Sequence, residues 1–231
     1  MTQKILGLLG GMSWESTAHY YAQINRHVRD VRGGLHSARL LLHSVDFAPI
    51  ADMQRRADWA AAAQLLGEAG RGLAAAGAGA LLICTNTMHK VAGPIEDMAG
   101  IPLLHIADPT IAALQAAGVA RVGLLGTRFT MEDDFYRARL CSAGLQVCVP
   151  DTDDRAQLHR VIFEELCQGQ LHEASRLRLL AMVASLRASG AEAVILGCTE
   201  IAMLLTQDAT DMPLYDTTRL HADAAAAWLL D

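Results

Sequence analysis

Cysteine is sparse in this chain, and its spacing is more telling than its number. Five stand at Cys84, Cys141, Cys148, Cys167 and Cys198, with no C-x-x-C pair for a zinc site or a redox couple. An odd, scattered set fits reduced thiols in a cytoplasmic protein and not a disulfide framework. Basic residues are outnumbered, 19 Lys and Arg against 25 Asp and Glu, for a formal charge of −6. Phosphate binding runs on clustered Lys and Arg, so this balance argues against a nucleic-acid partner. The longest uncharged stretch, Gly72 to His89, is rich in Ala and Gly and turns polar at Thr85-Asn86-Thr87. It reads as a buried helix end plus a strand, and no membrane span is expected. The N-terminal Met1-Thr2-Gln3-Lys4 runs straight into a strand-like Ile5–Leu9, without the pattern of a secretory signal. Nine histidines form no H-x-x-x-H pair, so no metal is expected. Gly7–Gly11 do not spell G-x-G-x-x-G, and no acidic residue follows in a βαβ frame, which argues against a nicotinamide cofactor.

What is present is apolar and regular. Of 231 residues, 52% are hydrophobic and 19% charged. A chain of this size buries roughly 70% of the surface that its unfolded form exposes, enough for stability without staples. Short apolar runs at Ile5–Leu9, Ala38–Leu42, Gly79–Ile83, Val122–Leu125, Gln146–Val149 and Ala193–Leu196 read as buried parallel strands. Helix-length segments lie between them: Glu15–Arg32, Trp59–Ala76, Glu132–Ala143, Arg155–Gln168, Glu173–Ala188 and Leu220–Leu230. The alternation predicts an α/β fold with right-handed crossovers.

An internal echo refines this. Gly7-Leu8-Leu9-Gly10 returns as Gly123-Leu124-Leu125-Gly126, offset by 116, and Thr85 falls on Cys198 at an offset of 113. The expectation is two pseudo-symmetric α/β domains with mainly parallel sheets and an inter-domain cleft. Residues 1–115 form the first, 116–215 the second, and 216–231 a tail helix packing back on the first. Open parallel sheets hold ligands beyond the carboxyl ends of their strands, which puts Thr85 on one wall of that cleft and Cys198 on the other.

Cys198 ends the strand Val194–Gly197, and Thr199-Glu200 opens a helical Ile201–Leu205. A thiol at a helix start feels unpaired amides and the positive dipole end, which favour thiolate; an inert buried cysteine is the bland alternative. Thr85, Asn86 and Thr87 occupy the matching junction, where they either cap a helix or hold a carboxylate. Cys84, one position earlier, points to the opposite strand face and reads as core. Met12 and Ser13 follow the first strand, and Thr127 and Thr130 follow its echo, so all four are candidate substrate contacts. Their bland alternative is turn and cap chemistry, since Thr130-Met131-Glu132-Asp133 has capping-box spacing. Gln54 and Arg55 could meet an acidic substrate side chain, or Arg55 could be solvated surface. Thr199 and Glu200 flank the candidate thiol, and Glu200 either caps its helix or binds a substrate α-amino group.

Three separated segments resemble the aspartate/glutamate racemase family: Gly7-Leu8-Leu9-Gly10-Gly11-Met12-Ser13-Trp14-Glu15-Ser16-Thr17, Cys84-Thr85-Asn86-Thr87-Met88-His89-Lys90, and Gly197-Cys198-Thr199-Glu200. The resemblance spans essentially the whole chain, including His43-Ser44-Val45-Asp46-Phe47 and Gly126-Thr127-Arg128. It implies a cofactor-independent amino-acid racemase, cytoplasmic and homodimeric, with one acid/base group per domain flanking the substrate α-carbon. The family usually has cysteine where this chain has Thr85, which matches a threonine subgroup linked to a preferred direction of racemisation. Cys198 is then the stronger base and Thr85 the weaker one. A single-cysteine decarboxylase or isomerase of the same superfamily is the first alternative, and a non-catalytic amino-acid binder the second.

Overall fold

The computed structural model describes residues 4–231. Met1, Thr2 and Gln3, part of the segment read above for a signal, lie outside the described residues. The chain forms two compact units, 1–105 with 221–231, and 106–220.

The first unit opens with β1 (Leu6–Gly10), α1 (Trp14–Arg32), β2 (Leu40–Ser44), α2 (Phe47–Arg55) and α3 (Trp59–Ala75). It continues with β3 (Ala80–Ile83), α4 (Ala92–Ala99) and β4 (Leu103–Leu104). The sheet is wholly parallel in the order β2-β1-β3-β4. Every residue of β1 and β3 is buried because helices cover both faces, which is why these strands read as unbroken apolar runs. Side chains alternate between two cores. Leu9, Leu81 and Ile83 pack with Leu66 and Ile95 on the α2–α4 side. Leu6, Leu8, Leu82 and Cys84 pack with Tyr20 and Ile24 on the other.

The second unit repeats the plan. It holds α5 (Ala107–Ala116), β5 (Arg121–Gly126), α6 (Arg128–Glu132), α7 (Asp134–Ser142), β6 (Gln146–Cys148) and α8 (Thr152–Glu164). Then come α9 (Glu173–Ala188), β7 (Ala193–Gly197), α10 (Ile201–Leu204) and β8 (Leu214–Asp216). Its parallel sheet runs β6-β5-β7-β8, the same relative order as the first. The last helix, α11 (Thr217–Leu230), follows β8.

The helices at the ends of the two repeats change units. Ile106, Ala107 and Leu114, at and within α5, join Leu124, Tyr136 and Leu140 in the second unit's core. Ala222, Ala225, Ala226 and Leu229 of α11 join Leu6, Leu8 and Tyr20 in the first. The unit boundary thus falls before α5, where the sequence reading closed the first domain after it. Among the described residues no helix is long and apolar enough to cross a membrane.

Candidate active site

Most of the candidate residues lie at the carboxyl ends of the two central strands of each sheet. In the first unit β1 leaves the sheet through Gly10 and Gly11, and both glycines are required. A Cβ on Gly10 would lie 2.4 Å from Cγ2 of Thr17, and Gly11 holds φ at +92° with its Cβ position 2.2 Å from the Val45 carbonyl. The Thr17 hydroxyl accepts the Gly11 N–H at 2.8 Å and donates to the Ser13 carbonyl at 2.8 Å. Ser13 caps α1 by accepting the Ser16 N–H at 3.2 Å, a contact worth about 1 kcal/mol. Met12 is buried in the core beside Leu9.

On the neighbouring strand, Thr85 follows β3 and is half-buried, while Asn86 and Thr87 are buried. A tight turn over Thr87–Val91 follows, and the His89 side chain reaches back so that Nδ1 donates to the Thr85 carbonyl at 2.8 Å. Gln54 projects inward from α2 and is only 3% exposed. Its Nε2 lies 3.1 Å from the Met88 sulfur, and its Oε1 is buried without a hydrogen-bond partner. Buried carbonyl oxygens in native folds are rarely left so, which marks Gln54 as available to a ligand N–H or water. Cys84 is fully buried on the α1 and α11 side of the sheet, and burial raises its thiol pKa.

In the second unit Gly126 ends β5, and Thr127 caps α6 by accepting the Thr130 N–H at 3.3 Å. The cap is Thr127, not Thr130 as the capping-box spacing suggested, because the helix starts at Arg128. The two hydroxyls lie 3.2 Å apart, and the Thr130 methyl approaches Gly197, whose lack of a Cβ keeps the strand ends close. Cys198 follows β7 and is 6% exposed. Its thiol donates to Oε2 of Glu200 at 2.9 Å, and the Thr199 hydroxyl donates to the same oxygen at 2.6 Å. Burial pushes the Cys198 thiol well above the ordinary cysteine range, and the Glu200 carboxylate pushes it further in the same direction.

The pairing registers test the internal repeat independently of the motifs. Leu6 faces Ala80 in the first sheet, and Val122 faces Ala193 in the second. An offset of 116 carries Leu6 to Val122, and 113 carries Ala80 to Ala193. The same 113 lays Thr85 on Cys198, and it lays Leu81 and Ile83 on Val194 and Leu196, which face the equivalent core.

The model of the family described as Asp/Glu/Hydantoin racemase matches residues 9–225. The chain belongs to that family. A structure from Yersinia pestis, provisionally described as an Asp/Glu racemase, is 50% identical with a TM-score of 0.91, covering 99% of this chain and all of the other. An aspartate racemase homologue from Pyrococcus horikoshii is 30% identical with a TM-score of 0.84, each chain covered completely. A glutamate racemase from Neisseria meningitidis is 27% identical over 64% of this chain, and the match spans 55% of that relative's length.

Within this family member, the remaining candidates are placed as follows. Arg55 is exposed and pairs with Asp52 at 3.2 Å on the outer turn of α2, away from Gln54. Among the described residues no group of three or more His, Cys, Asp or Glu side chains is arranged to hold a metal. Sequence reasoning passed over His89, which it grouped with scattered histidines. Its signal was spacing: a side chain four residues after Thr85, in a turn, can reach that carbonyl.

Proposed function

We propose that this protein racemises aspartate, glutamate or a close relative without a cofactor, with Cys198 and Thr85 exchanging protons at opposite faces of the α-carbon. The observation that carries this reading is the register equivalence of Thr85 and Cys198, one at the same strand end in each repeat. For one enantiomer the Cys198 sulfur takes the α-proton, the bond's electron pair passes into an enediolate, and Thr85 returns a proton to the other face. The reverse direction exchanges the roles.

An α-proton is a weak acid, so most of the barrier must be met by stabilising the enediolate. The hydroxyls and main-chain N–H groups around Ser13, Asn86, Thr87, Thr127 and Thr130 supply donors of the kind that does this. Glu200 receives the substrate α-ammonium group. That cation offsets the carboxylate's share of the rise in the Cys198 pKa, burial being the larger share, so the thiol gives up its proton to solvent more readily when substrate is present. The preferred amino acid, a homodimeric state and a cytoplasmic location belong to the same proposal.

Proton NMR in D2O with each enantiomer of aspartate and glutamate tests it. The expected result is inversion accompanied by deuterium at the α-carbon, abolished in Cys198→Ala. No α-exchange on any amino acid, with CO2 released from a malonate-like acid, would replace racemisation by single-thiol decarboxylation. Binding without turnover would leave a non-catalytic binder.

A further inference from the structure

Two buried histidines of the first unit, His89 and His221, meet the half-buried His105 behind Thr85. His89 is 3% exposed and His221 1% exposed. The His89 ring meets the His105 ring edge-on with centroids 4.7 Å apart, and the His221 ring at 5.6 Å. Hydrogen bonds fix the tautomer of His221. Nε2 must donate, because its partner at 2.8 Å is the Leu104 carbonyl, and Nδ1 then accepts the Tyr20 hydroxyl proton at 2.9 Å. The Nδ1 of His89 must likewise donate, since its partner is the Thr85 carbonyl. A buried imidazole packed between two other rings, with its Nδ1 committed to the Thr85 carbonyl, is a rigid post that bears on the position of Thr85.

The second repeat does the same work differently. The Cys198 carbonyl takes a hydrogen bond from the main-chain N–H of Ile201 at 3.1 Å, and the repeat offset lays His89 on Ala202. One base is therefore held by a side chain that can be replaced, and its counterpart by the backbone.

We propose that His89 is a positioning residue for Thr85, fixing the hydroxyl at its face of the substrate α-carbon and leaving the Cys198 face untouched. This rests on the racemase reading. A general base displaced by about 1 Å loses on the order of 100-fold, so the loss should be large and one-sided.

The experiment follows loss of deuterium from α-deuterated L- and D-substrate in ordinary water. Wash-out through a single base needs no inversion: the sulfur takes the deuteron, exchanges it with water and returns a proton to the same face. Thr85→Ala first identifies the enantiomer that Thr85 serves, as the one whose wash-out disappears. In His89→Phe, which keeps the ring but loses the donor, wash-out of that enantiomer and net inversion should fall at least 10-fold. Wash-out of the other enantiomer should stay within about 3-fold, and KM should change little. His89→Gln, which keeps an N–H at similar reach, should recover part of the loss. Equal losses for both enantiomers, in His89→Phe or, if that variant does not fold, in His89→Gln, would overturn the proposal. So would wild-type wash-out of both enantiomers in a folded variant. A wild-type protein that exchanges nothing would instead sink the racemase reading itself.

Discussion

His221 should make the first unit acid-sensitive in a way that can be calculated. The imidazole of an unfolded chain takes its proton near pH 6.5, whereas burial, and then the nearby His89, push His221 down to about 3 in the fold. Between those values the unfolded chain binds a proton that the folded chain refuses. Stability from this group is complete above about pH 6.5 and is lost progressively as pH falls toward 3. At about 1.4 kcal/mol per pH unit, acidification from pH 7 to pH 4 removes roughly 3 kcal/mol. In a chain of this length that is a fall of about 6–12 °C in Tm. Other groups titrate over the same interval, so the contribution is isolated by comparison with His221→Gln. That variant starts lower at pH 7, by about 1–3 kcal/mol, because a flexible amide serves the buried Tyr20 hydroxyl and the Leu104 carbonyl less well than the fixed ring does. It should then lose less on acidification, so that its stability relative to the wild type rises by roughly 3 kcal/mol at pH 4, closing or reversing the gap. Denaturation curves at half-unit pH steps measure this. Parallel stability profiles for the two proteins would refute the reasoning.

Other outcomes follow from the same coordinates. Glu200→Gln removes the anion that raises the Cys198 pKa, so iodoacetamide should alkylate Cys198 faster at pH 7–8; slower alkylation would mean that the carboxylate promotes ionisation. Gly10→Ala drives a methyl to 2.4 Å from Thr17 and 2.9 Å from Leu42, and should cost at least about 1–3 kcal/mol in urea denaturation. Gly72→Ala, on the exposed side of α3 with nothing within 4 Å, should instead stabilise by about 0.5–1 kcal/mol. Cys198→Ala should abolish racemisation, a loss of at least about 100-fold, and keep its melting profile within a few degrees of wild type.

How far the fold was legible depended on element length and burial. The six apolar runs reappear as β1, β2, β3, β5, β6 and β7, with ends shifted by at most two residues. The edge strands β2 and β6 are half-buried to exposed where buried strands were expected, because a neighbour covers them on one side only. The strands β4 and β8 escaped because two or three residues, Leu103–Leu104 and Leu214–Asp216, show no period. The helices α2, α4 and α5 were missed for a related reason: Pro49, Pro94 and Pro109 stand in them, each at the third residue, where a proline is tolerated but reads as a break. Glu132–Ala143 was read as one helix, yet extended backbone at Asp133 divides α6 from α7. At the candidate site, the strand-end residues were legible because glycine and short polar residues interrupt apolar runs there. The contact of Gln54 with Met88 and that of His89 with Thr85 were not, since both depend on which way a turn folds back.

The exchanged end helices limit how this molecule can be taken apart. A fragment ending near residue 105 lacks α11, leaving Leu6, Leu8 and Tyr20 without the alanine-rich cover that seals them. A fragment extended to 116 carries α5 without the second-unit core on which it packs. Neither half is a natural unit of expression, and a single repeat made alone would bury its apolar surface only by pairing with another copy and trading terminal helices with it.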